Sequence, residues 1–443
     1  MRAAASSGGS PVATLSSGML PDVPELSGPA THPERRADDI PRDVVVYILN
    51  LGRALHASGY AAHRLEAVLH HATQRLGVEA QFFSTPTSMF IAFGKLERQR
   101  TFMIRVEPGE QDLGKLSDLD RVVVQVMKGE LSPAQGSERI AILGAAPSRY
   151  GPVATVLAFG LASGAATRFL GGGFREIVAG ALLGIVIGLL ALGARRYAAI
   201  ARVFEPGASF LVALLAAAGA ALIAPYSVFT ATLAGLIALV PGLTLTVGLT
   251  ELSTRHLLSG TARLSAAFMT FLGMIFGVAL GNTVGNQIFG LSSVVAPAPI
   301  APWTNLLALV LAPVGFTVLL KAELRDLPWL VMMGVFAFYG SRVGSGVLGP
   351  ELGSFVGALI VGIASNVFAR LLDRPSQVLL VPGILLLVPG SIGLRSLNAL
   401  MEREVVSGIE TAFRMLVIAV SLVAGMLMSN AVTPRRRLPG EHG

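Results

Sequence analysis

The chain has 443 residues, 53% of them hydrophobic and only 14% charged, with a mean hydropathy of +0.66, a balance that excludes an ordinary soluble globular protein and implies a membrane protein. Its formal charge of +7 is carried by residues 151–443, where 18 Lys/Arg face 11 Asp/Glu, while residues 1–150 hold 16 of each; no dense basic stripe with interleaved aromatics occurs, which excludes a nucleic-acid surface. There is no cysteine, so disulfides, thiolate metal sites and thiol catalysis are excluded as well.

Residues 1–40 are rich in Ser, Pro, Ala and Gly and contain no apolar run of signal-peptide length, which predicts a disordered leader that stays in the cytoplasm. From Pro41, apolar residues at Val44, Ile48, Leu51, Leu55, Leu65 and Leu69 fall at helical spacing with Gly59 as a break. "VEAQFFS", "SMFIAFG" and "TFMIRV" read as short strands, and 118–144 returns to a helical pattern. A small soluble α+β domain over 41–148 is expected.

Ten apolar segments follow, near 152–170, 176–194, 207–224, 226–249, 264–290, 302–320, 328–346, 351–369, 376–394 and 411–432. Each approaches the roughly 20 residues that a membrane helix needs. Trp303 and Trp329 open the sixth and seventh, at headgroup level or simply facing lipid. The loops on one side, with the tail at 433–443, carry twelve basic residues against six opposite. By the positive-inside rule both termini are cytoplasmic.

"VPGLTLTVGLTELSTRHLLSG" at 240–260 and "VPGSIGLRSLNALMEREVVSG" at 388–408 stand 148 residues apart. Aligning 237–282 on 385–430 without a gap gives 11 identities in 46 positions, among them Pro241/Pro389, Gly242/Gly390, Ser259/Ser407, Gly260/Gly408, Gly277/Gly425 and Asn282/Asn430. Two five-helix units, 149–292 and 293–432, are the expectation. Because five is odd, the second enters the membrane from the opposite face, an inverted repeat of the kind that supports alternating access. A bundle duplicated for structural reasons alone is the alternative.

Val-Pro-Gly breaks a helix, and bared backbone groups persist in hydrocarbon only where protein, water or substrate replaces the lost bonds. Breaks at Pro241-Gly242, Pro382-Gly383 and Pro389-Gly390 therefore mark the expected binding region, with hydroxyls from Thr244, Thr246 and Ser391 and amides from Asn282, Asn286 and Asn430; simple proline kinks are the competing reading. Amides and broken backbone suit both ends of a zwitterion. Glu251 is the candidate for proton coupling, against an exposed interfacial glutamate. Ser259, Gly260, Ser407 and Gly408 are assigned to gating loops, and Arg255 and Arg263 to anchoring at the anionic leaflet in preference to attracting a substrate carboxylate.

His56, His63, His70 and His71 invite a metal. His63 and His70 lie about 10.5 Å apart along a helix, too far to share one ion, so solvated histidines are expected and no metal or cofactor is implied. "STPTS" at 84–88 reads as a hydroxyl-rich turn with no acid–base partners legible around it.

"VPGLTLTVGLTELSTRHLLSGTARL" at 240–264 and "TPTSMFIAFG" at 85–94 resemble signature stretches of the threonine/serine exporter family, and "GYAAHRLEAVL" resembles a third, keeping Gly59, Arg64 and Glu66 but with Ala61 where the family pattern is acidic. The resemblance covers roughly 41–432. It implies a ten-helix inner-membrane carrier with an N-terminal hydrophilic domain, exporting L-threonine and L-serine on the proton motive force, and it adds Arg64, Glu66, Thr85, Pro86, Thr87 and Ser88 as motif residues of that domain. It also implies two alternatives, a dicarboxylate exporter of succinate type and a sensor or hydrolase built on the N-terminal domain. The expected partners are an amino-acid substrate, the lipid bilayer and further copies of the chain, with no enzymatic activity.

Overall fold

The computed structural model of the protein describes residues 40–107, 109–290, 295–387, 392 and 405–434. It opens with an α/β portion. Helices α1 (Arg42–Ala57), α2 (Ala62–Arg75), α3 (Leu113–Met127) and α4 (Pro133–Ala145) share one core with the antiparallel sheet β1 (Ala80–Ser84), β2 (Ser88–Phe93) and β3 (Arg100–Arg105), ordered β1-β2-β3. Val44, Tyr47, Ile48, Leu51 and Leu55 recur every three or four residues, so one face of α1 is buried. On β2 the alternation puts Met89, Ile91 and Phe93 inside. Ser132 and Gln135 cap α4 reciprocally behind Pro133. Gly59, at φ +83°, turns the chain from α1 into α2, and its carbonyl accepts from Gln111 Nε2 at 2.6 Å.

Beyond Tyr150 the described residues are almost wholly helical: α5 (Pro152–Phe169), α6 (Phe174–Arg196), the short α7 (Ala198–Arg202), α8 (Phe204–Leu222), α9 (Val228–Gly235), α10 (Gly242–Ser253), α11 (Leu257–Phe289), α12 (Thr304–Leu319), α13 (Leu327–Leu348), α14 (Gly353–Leu372), α15 (Gln377–Leu385) and α16 (Val405–Val432). Six of them, α6, α8, α11, α13, α14 and α16, are long and apolar enough to cross a membrane. The other expected spans differ for physical reasons. Thr155, Ser163, Thr167 and Arg168 dilute α5, α12 has 16 residues, and the fourth and ninth segments do not form single long helices among the described residues.

The fourth segment breaks at its Pro-Gly pair. Residues 236–241 form turns, Pro241 is the N-cap of α10 and Gly242 its first residue. Ser163 of α5 donates to the Gly235 carbonyl at 3.4 Å, supplying a protein bond to backbone at the interruption. The ninth segment differs from expectation at Pro382-Gly383, where α15 runs through to Leu385. A proline removes only its own donor, and at Gly383 an added Cβ would stand 2.6 Å from Val361 Cγ1 of α14, so this glycine serves close packing instead of a break. Pro389, Gly390 and Ser391 lie outside the described residues.

The 148-residue spacing reappears in the packing. A Cβ at Gly277 would meet Pro206 O at 2.2 Å and Phe210 N at 2.9 Å; one at Gly425 would meet Phe355 O at 2.4 Å and Ala358 Cβ at 2.9 Å. The α11/α8 and α16/α14 crossings therefore use equivalent glycines, with Phe210 and Ala358 as equivalent partners and the approached carbonyls of Pro206 and Phe355 offset by one position. One turn further on, Gly281 approaches Leu214 N, and its counterpart Ser429 packs on Gly362, the counterpart of Leu214.

Candidate functional site

The α/β portion meets the helices at four places. Leu113 N and Gly114 N donate to the carbonyls of Leu320 (2.9 Å) and Lys321 (3.1 Å), and Tyr150 Oη donates to Ala322 O at 2.6 Å. Glu110 pairs with Arg195 at 3.0 Å and with Lys321 at 3.1 Å. Arg121 (3.1 Å), Arg149 (3.5 Å), Arg325 and Arg374 (3.1 Å) surround Glu323, and Arg374 also pairs with Asp326. Burial pushes Glu323 up, but the guanidinium groups outweigh it and hold its carboxyl below the ordinary value. The loops after α6, α10, α12 and α14 thus share one end of the bundle with the α/β portion.

At the fourth place three motifs meet that the sequence separates by up to about two hundred positions. Glu251, at the end of α10, is fully buried. Its Oε1 accepts from Ala62 N at 2.8 Å, its Oε2 from Ser259 Oγ at 2.7 Å, and Arg263 Nε lies 3.2 and 3.0 Å from the two oxygens. Ala62 is the first residue of α2, where a helix offers unpaired N–H groups and a partial positive charge, and no side chain of its own caps it. Glu251 therefore caps a helix of the α/β portion from within the bundle. Ser259 and Gly260, expected in a loop, lie in the first turn of α11, with only Thr254–His256 between the helices. The short bridge suffices because Arg255, at φ 66°, reverses the chain and His256 N bonds back to Glu251 O at 2.8 Å.

Next to this node, Glu66 Oε1 accepts from Ser84 N at 2.7 Å and Glu66 Oε2 lies 3.3 Å from His256 Nε2, while the rings of His63 and His256 are 6.0 Å apart. Burial raises Glu66 above its ordinary value, with the Ser84 amide and His256 opposing. Burial lowers His56, whose Nε2 reaches Thr85 O at 3.1 Å. Thr85 and Ser88 bond to each other across the turn, with Thr85 Oγ1 accepting from Ser88 N at 3.0 Å. Pro86 is half-buried in that turn, and Thr87 O accepts from Val106 N at 3.0 Å. No cluster of metal-ligating residues occurs among the described residues.

Below the node lies a cavity of about 80 Å³, bounded by the start of α2, by α10, α14, α15 and α16. That is room for several waters, each needing at least ~10–15 Å³ on this measure. Thr246 and Thr250 of α10, Asn366 of α14, Gln377 of α15 and Asn430 of α16 present polar groups to it. Asn366 Nδ2 donates to Asn430 Oδ1 at 3.2 Å and to Thr433 O at 2.8 Å.

Of the residues expected to bind substrate, Thr246 and Asn430 line this cavity. Pro241 and Gly242 begin the helix that contributes Thr246; Thr244 is half-buried on that helix outside the lining; Asn282 and Asn286 sit on α11 away from it, Asn286 exposed. Ser407, exposed, and Gly408, buried, belong to α16. Arg64 lines the cavity, whereas Glu66 faces Ser84 and His256. Sequence reasoning missed Gln377, Thr250 and Ser376. Their polar character at segment ends was legible, but nothing local tied them to Arg64.

The sequence pattern of the threonine/serine exporter family matches residues 46–285, more than half of the chain, and a second threonine/serine exporter pattern matches residues 305–432. Similar curated proteins include Pheromone-regulated membrane protein 10 of Eremothecium gossypii, 26% identical over 360 residues that make up 79% of this chain and 48% of the relative. The protein of that name from Saccharomyces cerevisiae is 25% identical over 378 residues, 83% of this chain and 48% of the relative. The chain spans about half the length of these relatives. No solved structure matches it.

Proposed function

The chain belongs to the threonine/serine exporter family, and from that premise we propose that it is a secondary active exporter of small hydroxylated amino acids, L-threonine and L-serine, working by alternating access. The observation that carries this reading is the cavity lined by hydroxyls of α10, the helix that follows the Pro241-Gly242 interruption, and by amides of α14, α15 and α16. Such a chamber offers donors and acceptors to both ends of a zwitterion and to its hydroxyl.

We read the bundle as ten helices in a 5+5 inverted repeat following a cytoplasmic α+β domain, in the inner membrane with both termini cytoplasmic. The repeated glycine crossings at 277 and 425 support the repeat. The positive-inside rule and the docking of loops bearing Arg195, Arg263, Lys321 and Arg374 at the end that carries the α/β portion support the orientation.

Proton coupling belongs to Glu251 in this scheme. Its three partners are all donors, which a carboxylate satisfies and a protonated carboxyl does not. Protonation would release Ala62, loosening α2 from the mouth of the cavity. The test is flux of labelled threonine, serine and succinate from proteoliposomes holding the full chain, with and without a proton gradient. Gradient-dependent efflux of threonine and serine is expected. Preference for succinate would overturn the substrate class, and no gradient-dependent flux of any of the three would overturn the exporter reading.

A further inference from the structure

Arg64 is the one permanently charged side chain among the described residues that line the cavity, and it does not come from a membrane segment. It rises from α2, three residues after the N-cap Ala61. Its position is fixed from several directions: Ala62 N is held by Glu251, Glu66 on the next half-turn is held by Ser84 N, and the Gly59 carbonyl is held by Gln111. From there Nη1 reaches across to Ser376 Oγ, at 3.5 Å, beside the start of α15. A guanidinium so placed spans the chamber from the α/β portion to the start of α15.

A small amino acid entering this space carries one carboxylate. The remaining polar lining consists of amides, hydroxyls and the His63 imidazole, with no carboxylate among the described residues. The planar fork of arginine matches a carboxylate bidentately, and such a charge-assisted pair is stronger than a hydrogen bond between neutral groups. The ammonium group is left to the amide carbonyl of Asn430 or Asn366 and to the threonine hydroxyls of α10.

We propose that Arg64 binds the substrate carboxylate, so that the N-terminal α/β portion supplies part of the transport site. This rests on the exporter reading above and names the chemical determinant of its specificity: a free α-carboxylate.

The test compares threonine with threoninamide, which lacks the carboxylate charge, in proteoliposomes holding the full chain. The wild-type chain should transport threonine with a KM roughly 10- to 100-fold below that for the amide, the range expected of one charge-assisted hydrogen-bonded contact. In Arg64→Gln this preference should collapse towards unity through a rise in the threonine KM, and Arg64→Lys should restore part of it. Ser376→Ala, which removes the hydroxyl that Arg64 Nη1 reaches, should leave the preference intact. Were Arg64→Gln to lower flux of both compounds equally while keeping the ratio, Arg64 would be structural and the inference overturned. If Arg64→Gln is recovered only as aggregate, Arg64→Lys decides: an altered threonine-to-amide ratio supports carboxylate binding and an unchanged one overturns it. Failure of the wild-type chain to move either compound would instead remove the exporter reading, and this inference with it.

Discussion

Two oxygens of Glu251 serve three donors from two stretches of chain: Ala62 N of α2, and Ser259 Oγ and Arg263 Nε of α11. A carboxylate buried this fully is stable only because every contact donates to it, and removing one partner leaves charge or donors uncompensated, at a cost of about 3–5 kcal/mol for a buried pair. Glu251→Gln keeps the shape and should lower the stability of the detergent-purified chain by on the order of 3 kcal/mol, mostly through the unmatched Arg263. Ala62→Pro isolates the bond between the two parts. Proline is well tolerated at the first position of a helix, and Ala61 already has the extended backbone (ψ 144°) that a following proline requires. The variant should therefore keep its helix content by circular dichroism, yet lose about 1.5–3 kcal/mol from the charge-assisted bond and show faster hydrogen exchange in α2. Unchanged exchange there would mean that the Glu251 contact does not hold α2 in place.

Elements show where local sequence was a sufficient guide and where it was not. The three β-prone runs and the Gly59 break were legible because strand alternation and a left-handed glycine are local signals, and the Pro241-Gly242 interruption was legible because a proline removes a backbone donor and a glycine leaves the neighbouring carbonyls uncovered. Pro382 misled because the same dipeptide inside α15 forfeits only one bond while Gly383 lets Val361 approach. The start of α11 misled because its polar first turn, "HLLSG", lacks the hydropathy of a span; the helix has 33 residues, about 50 Å at 1.5 Å per residue, against a hydrocarbon core of about 30 Å. The matched glycines make a sharper claim about elements. At Gly277 and at Gly425 a methyl group would press on the backbone of the facing helix at 2.2 and 2.4 Å, contacts that no side-chain rotation relieves. Gly277→Ala and Gly425→Ala should each cost about 1–3 kcal/mol, the usual penalty for overpacking. Gly273→Ala, whose nearest neighbour would be Pro206 Cδ at 3.6 Å, should be nearly neutral, as read by thermal unfolding in detergent. Equal tolerance at all three positions would mean that the helices slide apart freely and that the repeated crossing carries no stability.

At the scale of the whole molecule, the contacts that matter join residues 189 positions apart (Ala62 and Glu251), 202 apart (Arg121 and Glu323) and 312 apart (Arg64 and Ser376). No periodicity or spacing announces such pairs, which is why the sequence separated an N-terminal domain from a bundle and did not reveal that one closes the other. The α/β portion covers the end of the bundle where Arg195, Lys321 and Arg374 lie, and the start of α2 forms one wall of the cavity. In an alternating-access carrier that wall must move before solute passes. The chain has no cysteine, so a single introduced thiol reports on its own site without background. Arg196→Cys and Glu410→Cys, both at exposed positions, should react with an impermeant maleimide from opposite faces of the membrane if the second five helices are inverted relative to the first; reaction of both from one face would exclude that arrangement. Gln377→Cys, which lines the cavity, should react slowly in the otherwise unaltered chain and severalfold faster when Ala62→Pro is added, because releasing α2 uncovers the chamber. Equal rates in the two backgrounds would show that the chamber opens by a route that leaves the α/β portion docked, and the gate would then have to be sought at the opposite end of α10.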